Sequence, residues 1–324
     1  MPPHPTAPAV PTAATFGEAL VVLVQDEPGP LEQSTRFRRS LGGAEANVAI
    51  GLASLGVQAS AITRVGDDGF GRYIRDELDR LGVDVSAIPV DPKHATGLYV
   101  KEVGGGSGAP NDLGPGGSRM HYYRTASAGA HLAPELLDDP AVAAALDASA
   151  LVHTTGITPA LSDSAFEAQR ALVEAVRGRA LVSFDVNWRP RLWTGREDAG
   201  RRILSTFFRS SDIAMTGLDE AEEVFGLTSA EDVRRAFPEP RWLVVKNNGG
   251  AVVAFDGDQR VEVAPRKVEV VESIGAGDAF ASGLLAGILH GLPLAECVRH
   301  GHDTAACALA SVTDHVAGPA EVVR

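Results

Sequence analysis

Leu151-Val152-His153-Thr154-Thr155, then Ser164 to Val176, then Leu181-Val182-Ser183-Phe184-Asp185-Val186: the reading of this stretch decides the fold. Two apolar runs of strand length enclose a helical segment, which is the pattern of a parallel crossover unit. The alternation continues downstream through a strand at Asp212–Thr216, a helix at Leu218–Phe225 and a strand at Trp242–Lys246. Upstream, Ser60–Val65 reads as a strand. Two helices precede and follow it, with apolar stripes at Ala44, Val48, Leu52, Leu55 and at Phe70, Ile74, Leu78, Leu81, stopped by Gly56 and Gly82. Ala19–Val24 is a continuous apolar run suited to a strand buried on both faces. Near the end, Ala251–Phe255 and Arg260–Ala264 flank a hairpin turn at residues 256–259, and two long helices follow at Ala276–His290 and Leu294–Leu309. The expectation is an α/β fold with a mostly parallel sheet and helices on both faces.

One region departs from this grammar. Thr96–Val103 and Met120–Thr125 look like strands, but residues 104–118 between them hold seven glycines and two prolines. They read as a two-stranded excursion with a mobile tip, which with Thr35–Leu41 forms a small β lid. Residues 1–14, rich in Pro, Ala and Thr without a basic or long apolar segment, read as a disordered tail rather than a signal peptide.

The 324 residues suffice for one large domain. No apolar run is long enough for a membrane helix. The net charge of −13 argues against non-specific nucleic-acid binding and requires any anionic ligand to be held by local cations and amides. Cys297 and Cys307 show no metal spacing and read as reduced thiols of a cytoplasmic protein.

Chemistry concentrates at two glycine-led helix starts. Gly275-Ala276-Gly277-Asp278 offers unpaired first-turn amides as an anion site, with Asp278 placed to take a proton from a hydroxyl beside a bound phosphate. By itself the tetrapeptide also fits a glycine-rich turn capped by Asp278. It is neither a Walker loop nor a dinucleotide fingerprint. Gly42-Gly43-Ala44-Glu45-Ala46-Asn47 is the second start, with Asn47 able to donate to and accept from a polyol, or simply to face solvent.

Gly42-Gly43…Asn47, then Arg64-Val65-Gly66-Asp67-Asp68…Gly71, and the late Gly275-Ala276-Gly277-Asp278 resemble, in order and spacing, the signatures of the ribokinase-like (PfkB) carbohydrate kinases. The resemblance runs from about residue 16 to the end. It implies a three-layer α/β/α sandwich with a mostly parallel sheet and a strand lid, at residues 30–41 and 94–126 of a kinase domain spanning 15–324. It further implies ATP and Mg²⁺, Asp278 as base, residues 275–277 as anion hole, and a homodimer formed through the lid. A finer resemblance is to 2-keto-3-deoxygluconate kinases. It rests on Thr96-Gly97-Leu98-Tyr99, His121-Tyr122-Tyr123-Arg124, Gly156-Ile157-Thr158-Pro159 and Phe184-Asp185-Val186-Asn187-Trp188-Arg189-Pro190. It implies that Gly42, Gly43, Asn47, Tyr99, Tyr122, Arg124, Ile157 and Arg189 face a sugar acid.

The residue types suit that role. Arg124 and Arg189 can bind a carboxylate, and the tyrosines supply apolar faces with polar tips. Equally, Arg189 could brace the Asn-x-Arg-Pro turn and Arg124 could be a solvated lid residue. On the nucleotide side the resemblance implies Lys246, Gly249, Gly275, Gly277 and Thr304, with Glu220 reaching Mg²⁺ through water. Lys246 could also be a solvated strand-end lysine. Three departures stand out: Glu272-Ser273-Ile274 replaces the usual Asp-Thr before the anion hole, Gly217 replaces the Asn of Asn-x-x-Glu, and Thr304 stands where an adenine-side Asn is expected. Other acceptors (fructose, ribose, a nucleoside) and a catalytically silent sugar-binding protein are the competing readings.

Overall fold

The computed structural model describes residues 10–266, 268 and 274–310. In chain order the elements are β1 (Thr12–Phe16), β2 (Leu20–Gln25), β3 (Phe37–Gly42), α1 (Ala44–Ser54), β4 (Gln58–Ile62), β5 (Val65–Gly66), α2 (Gly69–Arg80), β6 (Val90–Asp91), β7 (Leu98–Val103) and β8 (Ser118–Tyr123). There follow α3 (Pro140–Ala148), β9 (Leu151–Thr155), α4 (Thr158–Leu161), α5 (Asp163–Val176), β10 (Leu181–Asp185), α6 (Glu197–Ser210), β11 (Ile213–Gly217), α7 (Leu218–Phe225) and α8 (Ala230–Ala236). The last are β12 (Trp242–Lys246), β13 (Val252–Asp256), β14 (Gln259–Val263), α9 (Ala276–Leu289) and α10 (Leu294–Leu309).

The main sheet has the order β14-β13-β12-β11-β10-β9-β1-β4. From β4 to β12 every pairing is parallel, and the hairpin β13–β14 closes one edge in antiparallel fashion. One face carries α3 and α5–α8 on a core that includes Leu172, Phe184, Phe207 and Phe208. The other carries α1, α2, α9 and α10 on Leu52, Leu78, Met215 and Leu284. Helices on both faces explain why the parallel strands read as unbroken apolar runs. This is the expected three-layer sandwich, and a second sheet, β3-β2-β7-β8, forms the lid.

Two expectations need correction. Residues 12–14 are not tail: β1 lies between β4 and β9 in the main sheet. Its small Ala13 and Ala14 are fully buried because helices press on the sheet from both sides, and small side chains concealed the strand in the sequence. The part of the expected tail at residues 1–9 lies outside the described residues, as do Glu272 and Ser273. The apolar run 19–24 is buried on both faces as expected, but as the lid strand β2, antiparallel to β3 and parallel to β7. Val21 packs into the domain core, while Leu20 and Val22 pack on Tyr99. Within the tip between β7 and β8, Asp112 accepts the amides of Gly105 at 2.9 Å and Gly114 at 3.1 Å.

The Gly66-Asp67-Asp68 marker roots the lid. Asp68 caps α2, accepting from Phe70 N–H at 2.9 Å and Gly71 N–H at 2.8 Å. Its other oxygen accepts Thr96 N–H at 2.8 Å, just before β7 begins. One carboxylate thereby ties a helix start of the domain to an entry strand of the lid.

Candidate active site

The carboxyl ends of β9, β10, β11 and β12 present Thr155, Asp185, Gly217 and Lys246 side by side. Parallel α/β sheets leave a crevice at these ends where the strand order reverses, here around β1 with β4 on one side and β9 on the other. Into that crevice point the starts of α1 and α9. Gly275 adopts φ +80° as the N-cap of α9, a left-handed conformation that glycine tolerates. The first-turn amides that follow have no acceptor within the helix and carry its positive dipole end.

Asp278 lies in that first turn. Asn47, in the first turn of α1, donates from Nδ2 to Asp278 Oδ2 at 2.8 Å. The Asn47 Oδ1 is buried without a partner among the described residues. Burial raises the Asp278 pKa to about 7; the Asn47 bond opposes this, the Asp185 charge adds to it, and Arg189 and Lys246 oppose it. A carboxyl held near neutrality is suited to accept a proton.

Lys246 is not a solvated strand-end residue. Its Nζ lies 2.6 Å from Asp185 Oδ2, and a Cβ on Gly277 would sit 4.0 Å from that nitrogen. Burial alone would press its pKa down, but the Asp185 and then the Glu220 carboxylates outweigh that and hold it above the ordinary lysine range. Glu220, the third residue of α7, accepts Trp188 N–H and Gly217 N–H, each at 2.8 Å. Burial is the main cause of its raised pKa. It therefore clamps the start of α7 to the turn after β10. Asp185 Oδ1 is buried and has no partner among the described residues.

On the lid side, Gly42 and Gly43 end β3 and open α1. Gly43 has φ +126°, and a Cβ there would lie 2.4 Å from Glu18 O, so only glycine fits. A Cβ on Gly42 would meet the Tyr99 ring at 3.1 Å. Tyr99 and Tyr122 pack with centroids 5.1 Å apart, and the Arg124 guanidinium lies 4.8 Å from the Tyr122 ring centre. Arg124 is not solvated: its Nη1 is 3.1 Å from Glu18 Oε2, and only 10% of its side chain is exposed. Ile157 follows β9, its N–H bonded to Thr155 Oγ1 at 3.1 Å. Arg189 is exposed, donates to Trp188 O at 3.2 Å and acts on the charge of Asp278. Two residues earlier, Asn187 holds φ +40°, in the left-handed region.

Gly249, with φ +78°, lies in the turn directly after Lys246, beside Asn248, whose side chain donates to Asp219 at 3.2 Å. Thr304 lies in α10 with its hydroxyl already engaged. Its hydroxyl donates to His300 O at 2.7 Å, and the side chain is wedged against Gly283 between α9 and α10. A threonine in a helix satisfies its own turn when a facing helix is this close. Three further acids are buried. Glu45 accepts from Thr155 at 2.7 Å and Thr158 at 3.0 Å, with its pKa raised by burial. Asp185 and Glu18 are the others. The available signal was a lone acid inside an apolar stretch, as Glu18 is within residues 12–24.

A helix start that offers amides to an anion, beside a proton acceptor and a buried ammonium, belongs to the phosphotransferases that act on alcohol groups. Residues 11–315 match the model of the pfkB family carbohydrate kinases, and the chain belongs to that family. It is 37% identical over 289 residues to a 2-dehydro-3-deoxygluconokinase of Thermoproteus tenax, covering 88% of this chain and 84% of the relative. It is 30% identical over 291 residues to a 5-dehydro-2-deoxygluconokinase of Clostridium perfringens, covering 87% and 82%. A Pyrococcus horikoshii sugar kinase solved in complex with ATP superposes with a TM-score of 0.81 at 26% identity, covering 95% of each chain.

Proposed function

We propose that this carbohydrate kinase transfers the terminal phosphoryl group of ATP to the terminal hydroxyl of 2-keto-3-deoxygluconate, giving the 6-phosphate. The observation that carries the reading is the 2.8 Å contact between Asn47 and Asp278, residues 231 apart in sequence, which joins two glycine-led helix starts around a carboxyl whose pKa is raised to about 7. Asp278 accepts the proton of the attacking hydroxyl. The amides of residues 275–277 and the Lys246 ammonium stabilise charge on the transferring group. Asn47 uses its open Oδ1 to orient the sugar, with Gly42, Gly43, Tyr99, Tyr122 and Ile157 shaping its cradle. Arg124 and Arg189 hold the carboxylate. These local cations and amides answer the opposing net charge of −13.

The donor set suits Mg²⁺. Asp185 Oδ1 is an unpartnered hard oxygen donor, Glu220, whose two oxygens accept backbone N–H groups, would act through water, and a nucleotide's phosphates and waters would complete the coordination shell. Among the described residues no group of three or more His, Cys, Asp or Glu could hold a metal by itself, which fits a metal that arrives with the nucleotide. The metal would neutralise phosphate charge. Cys297 and Cys307 are unpaired, consistent with the reducing cytoplasm in which ATP is available.

An ADP-release assay over sugar acids and neutral sugars tests the assignment. The expected result is a preference for 2-keto-3-deoxygluconate of at least about 10-fold in kcat/KM over fructose and ribose. Arg189→Ala should raise KM for the sugar acid about 10-fold and leave KM for ATP unchanged. An unchanged sugar-acid KM in that variant removes the carboxylate role of Arg189. One observation favours a neutral acceptor instead: Arg124 already has a counter-ion in Glu18. A wild type that prefers fructose or ribose would establish that reading.

The lid's edge strands β3 and β8 expose Phe37 and Tyr123, with 40% and 62% of their surfaces accessible. Pairing of two lids would bury both. Light scattering should therefore give a dimer, and only monomer at assay concentration would rule out lid pairing.

A further inference from the structure

We infer that Glu18 is a positioning residue that anchors the Arg124 guanidinium for the substrate carboxylate. The inference rests on the reading of Arg124 as a carboxylate partner and goes beyond it by naming what aims the arginine.

Glu18 lies in the link between β1 and β2, where the chain leaves the main sheet for the lid. It is 2% exposed. All four crossings between domain and lid meet at this residue. Its backbone carbonyl abuts Gly43, at the crossing from β3 to α1. A Cβ on Gly97, at the entry to β7, would lie 2.8 Å from Glu18 Oε1. A Cβ on Gly129, on the return from β8, would lie 2.4 Å from Glu18 Cγ. Its Oε1 accepts the hydroxyl of Ser127, which in turn accepts Ala130 N–H at 3.0 Å. The carboxylate is thus fixed by packing and by a hydrogen bond before Arg124 is considered.

The remaining oxygen, Oε2, faces Arg124 Nη1 at 3.1 Å. Arg124 Nε is buried and has no partner among the described residues. A guanidinium offers two planar forks to a carboxylate: the end-on pair of terminal nitrogens and the side-on pair of Nε with Nη2. Glu18 Oε2 meets Nη1 as an ion pair without a hydrogen bond, and because Nη1 has two N–H groups the contact anchors that end of the guanidinium without closing either fork. The same guanidinium packs on Tyr122, which packs on Tyr99, whose ring covers Gly42. Glu18 therefore sets the pose of an entire wall of the sugar cradle from a fixed point in the domain.

Two consequences of removing the Glu18 charge oppose each other. Loss of the counter-ion increases the pull of Arg124 on an anion. It also leaves a buried cation unpaired, and such a group does not keep its place but swings toward water. At 10% side-chain exposure the second effect dominates. Preorganisation is lost, and the substrate must restore it on binding.

The test is Glu18→Gln, nearly isosteric in a site with no spare volume, assayed for both substrates and repeated in an Arg124→Ala background. The expected result is a sugar-acid KM about 10-fold higher, with kcat and the KM for ATP within about 2-fold of wild type. In the Arg124→Ala background, Glu18→Gln should add no further rise in that KM. A fall in KM would make Glu18 a competitor of the substrate and overturn the inference. So would an unchanged KM in Glu18→Gln where Arg124→Ala raises it. An effect that persists undiminished without Arg124 would assign Glu18 a purely structural role and equally overturn it. If Arg124→Ala itself leaves the sugar-acid KM unchanged, the carboxylate reading of Arg124 fails first, and this inference with it. Ser127→Ala provides a second variant should Glu18→Gln not fold. It frees Oε1 while keeping the ion pair, and should raise the sugar-acid KM about 3-fold in the same selective way; an unchanged KM there overturns the inference.

Discussion

Asp278→Asn should fold normally, lose at least about 10³-fold in kcat, and melt at a higher temperature than wild type at pH 8. The loss follows from chemistry: an amide cannot accept the proton of the attacking hydroxyl. The fold survives because the amide keeps an oxygen for the 2.8 Å bond from Asn47 Nδ2. The gain in melting temperature follows from burial. The Asp278 pKa stands at about 7 in the folded chain against an ordinary 3.8. A carboxyl with a raised folded pKa contributes its full stability below the unfolded value and loses it as pH rises through the folded one. The ionised form is therefore the strained one. The advantage of Asp278→Asn should be absent near pH 4, grow between about pH 4 and about pH 7, and level off above, amounting to ~3 °C. The same ionisation governs the rate. Wild-type kcat/KM should rise with pH through a midpoint near 7, because only the carboxylate form can take the proton. Rate measurements on the variant, with melting curves at pH 4 and pH 8, check all of this. Turnover near wild type would remove Asp278 from the role of base. A variant that melts lower at pH 8 would mean that the buried carboxylate is not a source of strain.

Lys246→Met should destabilise the protein by about 3–5 kcal/mol and lower kcat by about 10²-fold. The two effects have different origins, and a second substitution separates them. Asp185 is 2% exposed, and its Oδ1 already lacks a partner among the described residues. Without the ammonium 2.6 Å from Oδ2, a whole carboxylate is stranded in the interior. The melting temperature should fall by ~10 °C. Adding Asp185→Asn removes the stranded charge and should recover most of that loss. The rate should not recover, because the ammonium itself faces Gly277 at the anion hole. If the double variant melts no higher than Lys246→Met alone, the stability does not come from the ion pair. If its turnover returns to wild type, Lys246 does not act on the phosphate.

The central sheet was legible wherever the chain writes long apolar runs, because strands covered on both faces need them. β10, β11, β12 and β13 follow that rule, while the edge strand β14 was marked instead by its alternating pattern after the turn. It failed at β1, whose Thr-Ala-Ala carries little hydrophobic signal although Ala13 and Ala14 are completely buried. It misplaced β2, since strand-length apolar runs look alike whether they enter the main sheet or the lid. The amphipathic helix α6 was passed over, although Leu204, Phe207 and Phe208 form its buried face. Among the site residues, Asp278, Asn47 and Lys246 stand together as expected. Thr304 is wedged between α9 and α10, a placement that the packing of the two helices decides and the sequence does not state.

The sequence by itself determined the class of fold, the two glycine-led helix starts and the family. These depend on local backbone demands and short-range spacing, which the chain states directly. Only the tertiary structure decided that Asn47 touches Asp278, that Lys246 pairs with Asp185 and that Arg124 is held by Glu18. Each of those contacts joins residues from different elements, and each lies where burial strengthens charge and leaves polar atoms needing partners. Burial is a property of the assembled layers, so the raised pKa of Asp278 and the fixed aim of Arg124 arise only once the sheet, the helices and the lid have closed around them.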